Sequence, residues 1–269
     1  MNRIESIDQP LVNAVGMGAG APVVCIHGLA ASLHDWKDLM PALAASGYEA
    51  HALDLLGHGE SLKPDRMEDY SAEACYAHMA AWIESLRLER PVIMVGHSLG
   101  GYLALEHALR CPESVRALVL VDPFYTLDQL PGFLRARYRR PFITAEMIEL
   151  APLWLVRLAI DLTGLSIRNG FVEPEAARAQ SARDYKRAAP GVFNLPHTIR
   201  DQTGDLPKVS VPALVLWGSK DGTLAPWSFP TMVQALPNAR AATIAAGHVP
   251  HRTNADEFNR LVLEFLKDI

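Results

Sequence analysis

One ten-residue stretch limits this chain more than anything else in it. Val92-Ile-Met-Val-Gly-His-Ser98-Leu-Gly-Gly101 reads as a buried strand, a tight turn and then a helix over 99–110 that Cys111-Pro112 ends. Inside it, Gly96-His97-Ser98-Leu99-Gly100 fits the pattern Gly-x-Ser-x-Gly, in which a strained turn exposes a serine hydroxyl at the end of a strand. Glycine is needed two positions either side of the serine, because a β-carbon there would collide with the neighbouring strand or helix. His97 points elsewhere in such a turn and is read as structural.

A serine hydroxyl is a poor nucleophile until a base takes its proton, and the base must be held by an anionic third group. In folds that carry this turn the partners follow in the order serine, acid, histidine. Asp221, in the turn Gly218-Ser-Lys-Asp-Gly222 after an apolar run, and His248, in Ala246-Gly-His-Val-Pro250, satisfy that order. Asp122, at the end of the preceding core strand, is the rival acid. His251 is the rival base, but Gly247 favours His248 and Pro250 separates His251 from the turn, so His251 is expected at the surface or behind the site. The segment Val23-Val-Cys-Ile-His27-Gly28-Leu29 is a buried strand ending in a small-residue loop. With the residue after the serine it assigns the oxyanion donors to the backbone N–H groups of Leu29 and Leu99.

The rest of the chain fits this reading. Apolar runs at 23–26, 48–53, 92–95, 117–121, 213–217 and 241–245 alternate with helical patterns, as in βαβ units that build a parallel sheet covered on both faces. A helix is expected after Ser71, a capping hydroxyl, as far as Leu86. A last helix carries Phe258, Leu261, Val262, Phe265 and Leu266 behind a cap of Asn254 with Glu257. Between 124 and 207 the strand rhythm stops, which divides the chain into a core of 1–123 and 208–269 and an inserted helical cap or lid of 124–207. Phe124, Phe133, Phe142, Leu153, Trp154, Leu155, Phe171 and Phe193 in that insertion suit an apolar pocket or simple helix packing.

Taken together, His27-Gly28, Asp54-Leu-Leu-Gly57-His58-Gly59-Glu-Ser61, the Gly-His-Ser-Leu-Gly-Gly turn, Trp217-Gly-Ser-Lys-Asp221 and Gly247-His248 resemble the α/β-hydrolase superfamily, in its esterase and C–C hydrolase branch. The resemblance spans the core and does not inform the insertion. It implies an α/β-hydrolase fold, a mostly parallel, doubly wound sheet with an inserted helical cap. It also implies a serine hydrolase with Ser98, Asp221 and His248 as triad, acting on an ester or thioester of a small apolar acyl group. The alternatives it leaves are a C–C hydrolase of meta-cleavage products, a lactonase or a cofactor-free acyltransferase. A non-catalytic ligand receptor on the same fold is the reading from another class. Haloalkane dehalogenases and epoxide hydrolases share several of these motifs but use an aspartate where this chain has Ser98, which argues against both activities. The Asp54 to Ser61 turn is read as architectural, with His58 in packing.

Several signals are set aside. The net charge of −5, with basic residues spread along the chain, offers no grip for nucleic acid or an anionic membrane. Cys25, Cys75 and Cys111 have no paired spacing and read as reduced thiols. No apolar stretch has the length of a membrane span or the form of a secretory signal, so a soluble, cytoplasmic protein is expected. Gly16-Met-Gly-Ala-Gly20 precedes a strand and is read as a turn, not a dinucleotide loop. The ten histidines show no metal-ligand spacing, and neither metal nor cofactor is expected. Arg135, Arg137, Arg139 and Arg140 form a basic cluster that reads as a solvated patch or as an anchor for an acidic substrate or carrier.

Overall fold

The structure is a computed structural model that describes residues 11–132, 135, 150–163 and 174–269. Its centre is a seven-stranded sheet of β1 (Ala14–Gly18), β2 (Ala21–Ile26), β3 (Tyr48–Leu53), β4 (Val92–His97), β5 (Val115–Val121), β6 (Ala213–Gly218) and β7 (Ala239–Ile244). The spatial order is β1-β3-β2-β4-β5-β6-β7. Only β1 runs antiparallel, pairing with β3, and every other neighbouring pair is parallel.

The apolar runs become strands because their side chains divide between two dry faces. From β2, β4 and β5, Val24, Ile26, Met94, Leu118 and Leu120 enter one core cluster, while Val23, Cys25, Ile93, Val95, Val119 and Val121 enter the other. Helices α2 (Ala72–Ser85) and α3 (Leu99–Arg110) cover the first face, with Cys75, Met79, Trp82, Tyr102 and Leu103. Helix α1 (Leu39–Ala45) covers the second with Leu39, Met40 and Leu43, next to a C-terminal helix that supplies Phe258, Val262, Phe265 and Leu266. Truncating a fully buried aromatic such as Phe258 to alanine removes about 3–5 kcal/mol of packing.

In the insertion, the described residues hold α4 (Leu153–Thr163), α5 (Glu175–Arg187), the single turn Leu195–Thr198 and several 3₁₀ turns, with no strand between β5 and β6 among them. The chain closes with α6 (Ser228–Ala235), the short α7 (Pro250–Thr253) and α8 (Ala255–Lys267). No helix of the described residues is long and apolar enough to cross a membrane.

Three expectations are corrected. Gly16 and Gly18 belong to strand β1 and not to a turn. An edge strand exposed along its whole length carries no apolar alternation to announce it. Strands β2, β5 and β7 each start two residues earlier than their apolar runs, because backbone pairing to the neighbouring strand begins at Ala21, Val115 and Ala239, ahead of the continuous apolar residues. Ser71 does cap α2, accepting the Ala74 N–H at 3.1 Å, but Asn254 caps α8 by position alone, without a side-chain hydrogen bond to the helix. Its amide oxygen instead accepts the Thr253 hydroxyl at 3.0 Å.

Chain direction reverses between β2 and β4: the link from β2 goes to β3 on one side, and the next returns to β4 on the other. Open parallel sheets form their binding crevice at such a switch point, outside the carboxyl ends of the strands. There the loops after β2, β4, β5, β6 and β7 meet.

Candidate active site

At the end of β4 the chain turns sharply into α3, and Ser98 takes φ 50° and ψ −111°, a conformation that costs about 1–3 kcal/mol for a residue with a side chain. The surroundings hold it there. The Ser98 N–H donates to Val121 O at 2.9 Å, and its carbonyl accepts the N–H of Phe124 at 3.0 Å. The two flanking glycines make the turn sterically feasible: a β-carbon on Gly96 would lie 2.3 Å from Gly100 O, and one on Gly100 would lie 2.1 Å from Ile26 O. Ser98 itself is only partly buried, whereas every residue of β4 before it is buried.

Across the crevice, the loops after β6 and β7 bring Asp221 and His248 together, with Nδ1–H of the imidazole donating to Asp221 Oδ2 at 2.8 Å. A neutral ring that donates through Nδ1 leaves Nε2 as a bare acceptor. The other oxygen of Asp221 accepts the N–H groups of Thr223 at 2.7 Å and Leu224 at 3.1 Å. Asp221 has no side-chain exposure, and His248 keeps 15%. The imidazole therefore bridges a buried anion and an open space.

The rival acid is in the same place. Asp122, fully buried and held at φ 41°, follows β5, and a carboxyl oxygen of it lies within 4.8 Å of a carboxyl oxygen of Asp221 and of a ring nitrogen of His248. Burial, then the charge of Asp221, push the Asp122 carboxyl well above the usual range, against the Gly218 N–H that Oδ1 accepts at 3.0 Å. The structure thus gathers two acids where the sequence asked for one.

On the opposite side of Ser98, the loop after β2 is pinned by His27. Its Nδ1–H donates to Gly28 O at 2.7 Å, and its Nε2 accepts the Leu55 N–H at 3.0 Å. This holds the chain beside the elbow, where a β-carbon on Gly28 would come within 3.3 Å of Ser98 Cβ. The Leu29 N–H belongs to that loop, and the Leu99 N–H opens α3, where the first turn of a helix offers no carbonyl partner. The Asp54 to Ser61 turn is architectural as expected: Asp54 accepts the N–H groups of Leu33 at 2.7 Å and Glu60 at 2.9 Å, and His58 is buried with its pKa pushed down to about 3, by burial first.

Sequence reasoning missed a second buried cluster directly behind the first. His97 donates through Nε2 to the main-chain carbonyl of His248 at 2.8 Å, and its Nδ1 lies 3.9 Å from Asp35 Oδ2. His251 Nε2 lies 3.6 Å from that same oxygen, and Arg252 Nη1 meets Asp35 Oδ1 at 3.2 Å. His251 is 1% exposed, so of its two expected positions, the surface or behind the site, it takes the second; Pro250 starts the short helix α7, which turns the ring inward onto Trp36. Burial would raise the Asp35 carboxyl, but Arg252, His251 and His97 hold it well below the usual range. Burial also pushes both imidazoles down toward the neutral form. No local motif announces this network, because its members come from three separate segments, around residues 35, 97 and 251–252.

Both clusters hold ligand-type atoms within 4.8 Å of one another. Arg252 already supplies the cation for Asp35, and a metal at the other cluster would compete for the Asp221 oxygen that His248 occupies. The donor sets thus favour hydrogen bonding over metal binding. In the insertion, Arg135 is committed to Asp128 Oδ1 at 3.0 Å and to Leu130 O at 3.1 Å, while Arg137, Arg139 and Arg140 lie outside the described residues. Phe124 and Phe193 are buried, Leu153, Trp154 and Leu155 are exposed, and Phe133, Phe142 and Phe171 also lie outside the described residues.

A family model described as the alpha/beta hydrolase fold matches residues 21–255. The chain belongs to the α/β-hydrolase family. It is 30% identical over 210 residues to the 2-hydroxy-6-oxo-6-(2'-aminophenyl)hexa-2,4-dienoic acid hydrolase of Metapseudomonas resinovorans, covering 76% of this chain and 69% of that one. To the pimeloyl-[acyl-carrier protein] methyl ester esterase of Neisseria meningitidis it is 28% identical, over 92% of this chain and 77% of that one. A 39% match to bifunctional epoxide hydrolase 2 of Sus scrofa takes in 41% of this chain but only 20% of that longer protein. Among solved structures, a thermophilic esterase from Thermogutta terrifontis superposes with a TM-score of 0.80 at 23% identity, over 96% of this chain and 93% of that one, a likeness of fold. This α/β-hydrolase therefore has enzymes among its relatives, and they act on different bonds.

Proposed function

We propose that this α/β-hydrolase cleaves a carboxylic ester or thioester of a small, largely apolar acyl group through an acyl-enzyme, with Ser98 as nucleophile, His248 as base and Asp221 as orienting acid. The observation that carries the reading is the pairing of His248 Nδ1–H with buried Asp221 at 2.8 Å, at the same carboxyl edge of the sheet where β4 ends in a serine strained to φ 50°. Ser98 Oγ attacks the acyl carbon while His248 Nε2 takes its proton. The backbone N–H groups of Leu29 and Leu99 receive the charge that develops on the acyl oxygen, each worth about 3–4 kcal/mol of barrier. The bond to the leaving alkoxide or thiolate then breaks, and His248 returns the proton to that group. Water attacks the acyl-serine by the same route, giving a carboxylic acid and free Ser98. In this reading residues 124–207 form the cap over the pocket, and the chemistry requires no cofactor.

A second reading, hydrolysis of a C–C bond in a ring-cleavage product, is favoured by the relative at 30% identity and uses the same three residues. Lactone hydrolysis and cofactor-free acyl transfer use them too. Assaying p-nitrophenyl esters, lactones and ring-cleavage products with the wild type and Ser98→Ala separates these. The proposal expects turnover of short esters that Ser98→Ala abolishes. Equal labelling of both proteins by a fluorophosphonate serine probe would sink it, and no turnover of any substrate in the panel would favour a ligand receptor. Of the basic cluster, Arg135 is paired with Asp128, and an acidic carrier is left out of this reading.

A further inference from the structure

We infer that Asp122 is a positioning residue that stays protonated and donates its O–H to Asp221, so that the acid behind His248 is a carboxylic acid–carboxylate pair and not a lone aspartate. The inference rests on the triad reading above and deepens it. Its basis is an unequal supply of donors. Asp221 accepts three N–H groups, from Thr223, Leu224 and His248. Asp122 accepts one, from Gly218, and its fully buried Oδ2 meets no donor at all.

Two carboxyl groups this close, both out of water, cannot both hold a charge at neutral pH, and the proton goes to the one whose anion is worse supported. That is Asp122. Its own O–H then supplies what Oδ2 otherwise lacks, and the natural acceptor within reach is Asp221. The titratable groups that face it are Asp221, from the loop after β6, and His248, from the loop after β7. The direction in which burial and Asp221 move the Asp122 carboxyl agrees. Its unusual backbone, φ 41° at a residue with a side chain, is the cost of aiming it back across the strand ends.

During turnover the pair keeps one negative charge and one proton. When His248 takes the Ser98 proton, the imidazolium forms against an Asp221 carboxylate whose charge is shared with Asp122 O–H. Asp122 transfers nothing to substrate; it fixes the geometry and basicity of the group that does hold the imidazole.

The experiment compares Asp122→Asn with Asp122→Leu on p-nitrophenyl acetate over pH 5–9. An amide reproduces the neutral acid: its oxygen accepts the Gly218 N–H and its NH₂ donates to Asp221. Asp122→Asn is expected to keep kcat within about 3-fold of the wild type with the same acid limb. Asp122→Leu is expected to lose about 10- to 100-fold in kcat, the scale of one lost hydrogen bond to a charged group, and to move its acid limb to higher pH. An Asp122→Asn protein no better than Asp122→Leu, or a Leu variant with wild-type kcat and pH profile, overturns the inference. Should the leucine variant fail to fold, infrared difference spectra decide: a protonated-carboxyl band at neutral pH must vanish in Asp122→Asn, and its absence from the wild type is fatal. Ser98→Ala controls the underlying reading, because activity surviving there sinks the triad while leaving the infrared result interpretable.

Discussion

Two carboxylate–imidazole clusters sit back to back at the carboxyl edge of the sheet, and they are built from the same groups. Asp221 with His248 faces the crevice; Asp35 with His97 and His251 faces the core. They touch where His97 donates to the His248 carbonyl at 2.8 Å. What differs is counter-charge and access. Asp35 is met by the Arg252 guanidinium, whereas Asp221 is met by a second acid. The His251 side chain has no exposure, whereas that of His248 has 15%. A carboxylate that is already neutralised, with imidazoles closed off from solvent, is a strut. One whose imidazole reaches open space with a bare nitrogen is equipped to move a proton.

The largest test exchanges the two histidines. His248→Ala is expected to lower kcat by about a millionfold, as when a member of a cooperative triad is removed. His251→Ala, measured on the folded fraction in the same ester assay, should stay within about tenfold and lose stability instead. Comparable kcat losses in both would erase the distinction between base and strut.

The acids give the next test. Asp221→Asn should cost about 10⁴-fold in kcat with little change in the urea midpoint, because the amide fills the same space but favours the wrong tautomer of His248. Asp35→Asn should do the reverse: it leaves the largely buried Arg252 side chain without its counter-charge, with only neutral hydrogen-bond acceptors such as Ser181 Oγ and Ala177 O, and is expected to cost about 3–5 kcal/mol in urea unfolding while sparing kcat. A smaller effect joins the clusters. His97→Phe removes the donor to the His248 carbonyl, and about tenfold in kcat should go with it, without loss of acyl-enzyme formation by a serine probe.

How much of this could be read from residues alone follows the same division. The core strands were legible because β2, β4 and β5 hold continuous apolar runs that supply both faces of the sheet, with Arg116 and His97 as the charged or polar exceptions; β1, exposed throughout and glycine-bearing, was not. The elbow was legible because its glycines are forced by contacts of 2.3 and 2.1 Å that any such turn must make. Asp221 and His248 follow from chain order, and Asp122 was visible as a strand-end acid, but as a competitor to Asp221 and not its partner. Only coordinates could show that the two face one another. The strut was illegible, since residues 35, 97, 251 and 252 share no spacing, and a buried histidine has no sequence signature distinct from an exposed one.

The finest contrast is in how each acid couples folding to pH. Asp35 has a depressed carboxyl pKa in the fold, so the unfolded chain binds the extra proton first. Its contribution is therefore complete above the unfolded value near 4 and is lost as pH falls below it. Asp122 has the opposite sign. Its pKa is raised in the fold, so the folded protein holds a proton that the unfolded chain has released, and stability declines as pH rises above about 4 toward the folded value. Replacing Asp122 with the uncharged asparagine abolishes that penalty while keeping the hydrogen bonds. Asp122→Asn is thus expected to be more stable than the wild type at pH 8, on the order of 1 kcal/mol or 2–4 °C in Tm, with the gain fading to nothing near pH 4. Thermal melts of the wild type and this variant at pH 4, 6 and 8 measure it. A variant that melts lower at pH 8 would mean that the buried carboxyl is ionised in the folded enzyme. The two acids of the crevice would then differ from Asp35 only in lacking an arginine.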